Sequence, residues 1–186
     1  ALIGLADQIA SREGLGGIIA DGVEEAIKRV GRNSGQYLHH CGKNLTQETA
    51  EDRILRATPL GNQTSNRGND HLRGRCNLEF MNLPADVLEK IFWHPINPDP
   101  YSWDNKAWMA RWVQNLNTMS DALGLCKFWT QWFAPDMFGF EQPLEVINAV
   151  PGWGMTKDEL WEATERIWNM EKLFNVRDGE DRRHDT

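Results

Sequence analysis

The sequence has no apolar run approaching the roughly 20 residues that span a bilayer, and no basic-then-apolar opening of the signal-peptide kind. The expectation is therefore a cytoplasmic protein with no membrane partner. Cysteine is scarce: Cys41, Cys76 and Cys126 form an odd, scattered set. Three such residues are a poor basis for a disulfide framework, which favours a reducing compartment. Positive charge is in the minority, with 20 Lys+Arg against 27 Asp+Glu and a net charge of -7. That balance argues against nucleic-acid binding, because neutralising phosphates needs a cationic face. Alternating apolar and polar residues do not persist anywhere long enough to suggest a sheet, and the composition is neither collagenous nor disordered.

Apolar surface is plentiful. Hydrophobic residues make up 40% of the 186, and nine are tryptophan, enough for a real core. The chain opens on Ala1 inside a helical pattern and stops at Arg182-Arg183-His184-Asp185-Thr186 without a closing element. Both ends read as cut.

Helical periodicity carries most of the rest. Residues 1–12 set Leu2, Leu5, Ala6 and Ile9 on one face, with Gly14 as a stop. A second helix from about residue 18 repeats the pattern through Ile19, Val23, Ala26, Ile27 and Val30, ending at Gly31. Periodicity fades over residues 35–82, where Pro59-Leu60-Gly61 and Asn66-Arg67-Gly68 read as turns. A loop of this length, with four arginines between Arg56 and Arg75, is expected to be functional. Pro84 suits a helix start, followed by Val87, Leu88, Ile91 and Phe92 on one side. Residues 95–100 break the chain. Residues 106–122 predict an amphipathic helix through Trp108, Met109, Trp112, Val113, Leu116 and Met119. Thr156 and Glu159 predict a capping box, opening a helix whose buried stripe is Leu160, Ala163, Ile167, Met170 and Phe174. Trp108, Trp112, Trp161 and Trp168 follow helical spacing and are expected in the core. The fold class is all-α.

The sharpest motif is Asp121-Ala122-Leu123-Gly124-Leu125-Cys126, followed by Lys127-Phe128. It leaves a helix through a glycine and presents a carboxylate and a thiol five residues apart. Asp121 can accept two hydrogen bonds from an amidine-like edge such as that of a pterin. Gly124 allows close approach of a flat ligand, and Cys126 can ligate soft metal such as cluster iron. The plain alternative is a helix C-terminus with a buried cysteine. His71 has the near-neutral pKa that suits proton transfer, and Asp70 can orient it; the plain alternative is a structural loop histidine. Arg67, Arg73 and Arg75 form a cationic cluster that can bind an anion or line a solvated face. His39-His40-Cys41 and Cys76 lack the paired spacing of a zinc site and read as ordinary cysteines.

The D-x-x-G-L-C segment resembles that of the tungsten-containing aldehyde ferredoxin oxidoreductase family. Ser11-Arg12-Glu13-Gly14-Leu15-Gly16 with Ala20-Asp21-Gly22-Val23 is similar to the family's helix pair. Asn66-Arg67-Gly68-Asn69-Asp70-His71-Leu72-Arg73-Gly74 resembles its R-G-x-x-H-L-R stretch. Glu165-Arg166-Ile167 and Phe174-Asn175-Val176-Arg177-Asp178-Gly179 resemble its C-terminal signature. The resemblance implies helical C-terminal domains, with residues 1–44 ending the second domain and 45–186 belonging to the third. It implies a tungsten bis-pyranopterin and a four-iron four-sulfur (4Fe-4S) cluster. Asp121, Gly124, Leu125 and Arg73 would bind the cofactor, Cys126 would be the cluster's fourth ligand, and His71 would carry protons.

The family's other three cluster cysteines, C-x-x-C-x-x-x-C, have no counterpart in this sequence. The implied partners are the N-terminal domains of the same enzyme, ferredoxin or an electron-transfer subunit, and a small aldehyde or acyl-CoA, in an oligomer. The implied activity is oxidation of an aldehyde to a carboxylic acid. A tungsten-dependent benzoyl-CoA reductase of the same family is the alternative, and a helical interaction module without metal is the alternative of another class.

Overall fold

The computed structural model describes residues 2–38, 55–68 and 70–185. Among them all regular structure is helical apart from one isolated bridge, Thr130 to Phe138. The domain boundary expected at residue 44 lies outside the described residues.

Helices α1 (Leu2–Ser11), α2 (Gly14–Ile19) and α3 (Val23–Val30) come first. The helix expected as continuous from residue 18 is two, broken around Gly22, whose φ of 91° no helix accommodates. Gly14, expected as a stop, begins α2. Asp21, between them, pairs with Arg12 and with Arg29 at 2.5 Å. The pairing closes the turn with charge.

The stretch expected as loop folds instead into α4 (Ala57–Thr64), α5 (His71–Gly74) and a 3-10 turn over Asn77–Phe80. Pro59 is the third residue of α4, where a missing N–H costs nothing because the first turn's donors have no partner within the helix. The remaining donors there find a partner from afar. The Glu79 carboxylate accepts from the backbone N–H of Arg56 at 3.1 Å, Ala57 at 3.0 Å and Thr58 at 3.0 Å. Lys106 Nζ lies 3.4 Å from the same carboxylate, and both side chains are sealed from solvent. No periodic pattern announces a helix capped by a residue more than twenty positions away. Asn66-Arg67-Gly68 is the turn its sequence suggests.

Helix α6 (Ala85–Phe92) follows Pro84 and buries Leu88, Ile91 and Phe92 as expected. Helix α7 spans Lys106–Ala122, matching its expected bounds. It is not amphipathic in the expected sense, because Gln114, Asn115, Asn117, Thr118 and Ser120 are buried along with its apolar residues. Helices α4 and α5 pack on it, as does α9 (Lys157–Arg177). Gln114 Nε2 donates to Gly61 O at 3.1 Å and Thr64 Oγ1 at 2.8 Å, while Thr118 and Ser120 donate back to Gln114 O and Leu116 O. Buried polar side chains are tolerated where such bonds replace water. The short helix α8 (Glu141–Ala149) precedes α9.

The core is aromatic. Phe92 meets Trp112 edge-on at 4.9 Å, Trp93 meets Phe140 at 5.1 Å, and Trp108 stacks on Trp161 at 5.8 Å. These pairs join α6, α7 and α9. The capping box of α9 forms as expected, with Thr156 and Glu159 exchanging bonds. Its stripe does not: Leu160 is buried, but Met170 and Phe174 are 68% and 58% exposed. The second half of α9 extends past the core, so periodicity there marks a face and not its burial.

If Glu79 closes α4 and neutralises Lys106, Glu79→Ala should cost about 3–5 kcal/mol, the usual penalty for stranding one partner of a buried pair. Chemical denaturation should show a lower midpoint at unchanged slope. The Glu79→Ala/Lys106→Met double variant should lose less than the sum of the two single variants.

Candidate cofactor site

Helix α7 ends in a Schellman turn. Leu125 N–H donates to Ser120 O at 2.8 Å and Gly124 N–H to Asp121 O at 3.2 Å, the pair of bonds that closes a helix through a left-handed residue. That residue is Gly124, at φ +69°, and no atom lies within 4 Å of where its Cβ would be. The glycine is required by its backbone angle, and the space beside it is open. The turn sets the five-residue spacing in the motif, with Asp121 in the last helical turn and Cys126 just past it. Asp121, Gly124, Leu125 and Cys126 are all exposed. Cys126 is a free thiol heading the 3-10 turn Lys127–Trp129.

A carboxylate in the last turn of a helix faces the negative end of the macrodipole and is disfavoured there without compensation. Two cations supply it. Arg73 Nε lies 3.0 Å from Asp121 Oδ2, and Lys127 Nζ lies 3.0 Å from Oδ1 and donates to Oδ2 at 3.0 Å. The Asp121 side chain is 37% exposed, against 14% for Arg73 and 9% for Lys127. The anion is thus presented outward on a buried cationic seat. Arg73 is itself held by a fork, Nη1 and Nη2 each donating to Glu171 of α9 at 3.1 Å. Lys127 Nζ also donates to Leu72 O at 2.7 Å. Burial pulls the Lys127 ammonium below its ordinary pKa, against the opposing hydrogen bond to Asp121.

Helix α5 brings His71 and Arg73 to this seat. Asp70 caps it, accepting from Leu72 N–H at 2.7 Å, and pairs with Arg67 at 2.8 Å. Its distance to His71 Nδ1 is 3.9 Å. Asp70 therefore works mainly on the backbone and on Arg67. Close approach of α4 and α5 fixes the placement: a Cβ on Gly61 would sit 2.1 Å from Gly74 O. Only glycine fits at that crossing. The His71 ring lies 6.2 Å from Trp132. Partial burial, then the charges of Arg75 and Lys127, lower its pKa.

Asn66 Nδ2 donates to Trp168 O at 2.7 Å and Asn175 Nδ2 to Asn66 O at 2.6 Å, pinning the preceding loop to α9. Between them an open cleft of about 400 Å³ reaches Arg73 and is lined by Arg67, Met170 and Phe174.

Most residues singled out in the sequence converge here: His71, Arg73 and Asp121 with its following turn. Arg75 instead lies over the ring of Phe80, 5.1 Å from its centroid. Lys127 and Glu171 were not singled out. A lysine directly after the motif cysteine was the one available signal for Lys127; Glu171 carries none. Cys76 is buried, and burial raises its thiol pKa far above the ordinary range, consistent with an inert structural cysteine. Cys41, with His39 and His40, lies outside the described residues. Among the described residues no three His, Cys, Asp or Glu side chains converge as a metal cage, and no helix is long and apolar enough to cross a membrane.

The donor set suits a pterin edge and one iron. An outward acceptor on a rigid seat, open space at Gly124 and an accessible thiol lie along one turn. The thiol is a single ligand, so a cluster held here would take its other ligands from elsewhere.

A family profile described as aldehyde ferredoxin oxidoreductase, domains 2 and 3, matches residues 1–186. The chain is similar to tungsten-containing aldehyde ferredoxin oxidoreductases of Pyrococcus abyssi (32% identical), Pyrococcus furiosus (31%) and Thermococcus kodakarensis (30%). Each alignment runs over 176 residues, 94% of this chain and 26% of the relative. The chain thus spans about a quarter of the length of these curated relatives.

The His71 imidazole should titrate below its ordinary 6.5. The unfolded chain then binds more protons in the window from 6.5 down to the folded value, so stability falls as pH drops through that window. Proton NMR of the ring Cε1–H reads the midpoint directly. Arg75→Gln should raise it, and a wild-type midpoint at or above 6.5 would contradict the electrostatics described.

Proposed function

We propose, since the chain belongs to the aldehyde ferredoxin oxidoreductase family, that it forms the cofactor-contacting helical part of an enzyme oxidising aldehydes to carboxylic acids. The observation that carries this reading is the single exposed turn on which Asp121, Gly124, Leu125 and Cys126 follow one another above the Arg73–Lys127 seat. The tungsten in the names of the relatives supports a tungsten bis-pyranopterin here.

In this reading the Asp121 carboxylate accepts from the amino and ring N–H groups of one pterin, with its two oxygens oriented by Arg73 and Lys127. The backbone at Gly124 and Leu125 borders the same edge. Arg73 has two of its five N–H groups on Glu171 and Nε toward Asp121, so one N–H on each terminal nitrogen remains for a pterin phosphate. Cys126 gives a thiolate to a 4Fe-4S cluster. Bound tungsten would supply Lewis acidity and a two-electron sink, with the cluster passing electrons singly to ferredoxin or a partner subunit.

Aldehyde oxidation adds water and releases two electrons and two protons. His71 is the group suited to take up a proton. Its lowered pKa keeps the ring neutral near pH 7. The remaining domains of the same enzyme supply the other cluster ligands and the cover over the site.

In the intact enzyme Cys126→Ser should lower iron content or shift the cluster potential. His71→Phe should cut turnover per tungsten by about 10²–10⁴-fold, as for other general acid–base groups, with tungsten retained. Metal analysis beside turnover reads both. Absence of tungsten and iron from the intact wild-type protein would favour a helical interaction module, and full turnover per tungsten in His71→Phe would remove that residue from the chemistry.

A further inference from the structure

The Lys127 ammonium is the most buried charge at the site and sits between two elements that the proposed chemistry must keep in register. Its side chain is 9% exposed, and its Nζ meets both Asp121, at 3.0 Å, and the backbone carbonyl of Leu72, at 2.7 Å. Leu72 lies between His71 and Arg73 on α5, whereas Asp121 lies in the last turn of α7. We propose that Lys127 is a positioning residue that fixes the Asp121 carboxylate for the pterin contact and locks it to the helix turn bearing His71.

Three features support this assignment, which rests on the cofactor reading of Asp121. First, placement there is costly: an ammonium loses hydration on burial and is retained only where it is paired and hydrogen-bonded. A solvated lysine would carry no such cost, and this one is committed inward. Second, the partner is disfavoured without it. Asp121 stands at a helix C-terminus, where a carboxylate meets the dipole's negative end. A charge pair that serves neither helix by propensity serves the presentation of the anion. Third, the two cations hold the carboxylate from different elements. Arg73 approaches Oδ2 from α5 and is anchored by the Glu171 fork, and Lys127 Nζ straddles the carboxylate from the segment after the turn, 3.0 Å from Oδ1 and donating to Oδ2 at 3.0 Å. With Lys127 across both oxygens and Arg73 beside Oδ2, the carboxylate plane cannot rotate freely. A pterin edge that donates two parallel hydrogen bonds needs that plane fixed.

Lys127 follows the proposed cluster ligand directly, so an effect on the cluster must be separated from an effect on the pterin. The test uses the intact holoenzyme with Lys127→Met, Lys127→Arg, Asp121→Asn and the Lys127→Met/Asp121→Asn double variant. Each is dialysed, and retained tungsten and iron are measured beside turnover per tungsten. Lys127→Met is expected to lose tungsten at least five-fold more than wild type while keeping its iron. Lys127→Arg, which keeps the charge and the donors, should restore at least half of the lost tungsten. The double variant should retain no less tungsten than Asp121→Asn alone, because Lys127 acts through that carboxylate.

Wild-type tungsten retention in Lys127→Met overturns the positioning role. So does parallel loss of iron and tungsten, which would make Lys127 a support for the Cys126 segment. Should Lys127→Met fail to accumulate, Lys127→Arg decides: retention near wild type sustains the role, and loss as deep as in Asp121→Asn overturns it. Wild-type retention in Asp121→Asn would instead overturn the cofactor reading of Asp121 itself, an outcome distinct from failure of Lys127 alone.

Discussion

Glu79 carries a full carboxylate into the interior, where an unpaired charge would not be tolerated. It is matched on two sides. Three backbone N–H groups at the start of α4 converge on it, and Lys106, the first residue of α7, sits 3.4 Å away. One side chain thereby starts one helix and anchors the start of another. With the beginnings of α4 and α7 tied, α4 lies along α7, and the glycine crossing of Gly61 with Gly74 sets α5 against both. Everything proposed for the site follows from that stack, because α5 carries His71 and Arg73 and the far end of α7 carries Asp121.

The same helix is treated differently at its two ends. At the start of α7 a cation and an anion are buried together and water is excluded. At its end the cations are buried but the anion is turned outward, with Asp121 more than twice as exposed as Arg73 or Lys127. The asymmetry leaves the Asp121 carboxylate in reach of a ligand, which the Glu79–Lys106 pair is not.

Cysteine shows the same division. Cys76 and Cys126 are chemically identical, yet one is packed beside Thr58 and Glu79 with its thiol held protonated by burial, and the other stands free on an exposed turn. Reactivity requires thiolate character and access, and of these two Cys126 alone has the access. Both head a 3-10 turn just past a helix end, so local position does not decide it; burial of Cys76 in the core does.

Local chemistry made much of this legible from the residues alone. The all-α class, the bounds of α7, the Pro84 start of α6 and the Thr156–Glu159 capping box depend on neighbours within a turn, and sequence reports such neighbours directly. The Asp121–Cys126 spacing was legible for the same reason: a helix end, a left-handed glycine and the next two residues form one local unit. Long-range partners were not. The helices within residues 55–80 have no periodic apolar face; they exist because Glu79 closes α4 from more than twenty residues away and because two glycines let backbones touch. Exposure of Met170 and Phe174 on α9 depends on where the core stops, and Lys127 and Glu171 gain their roles from elements distant in sequence. The sequence by itself determined the helices and the motif, since those are set by local backbone geometry. Only the tertiary structure decided which charges meet at Asp121, since electrostatic partners are chosen by proximity in space.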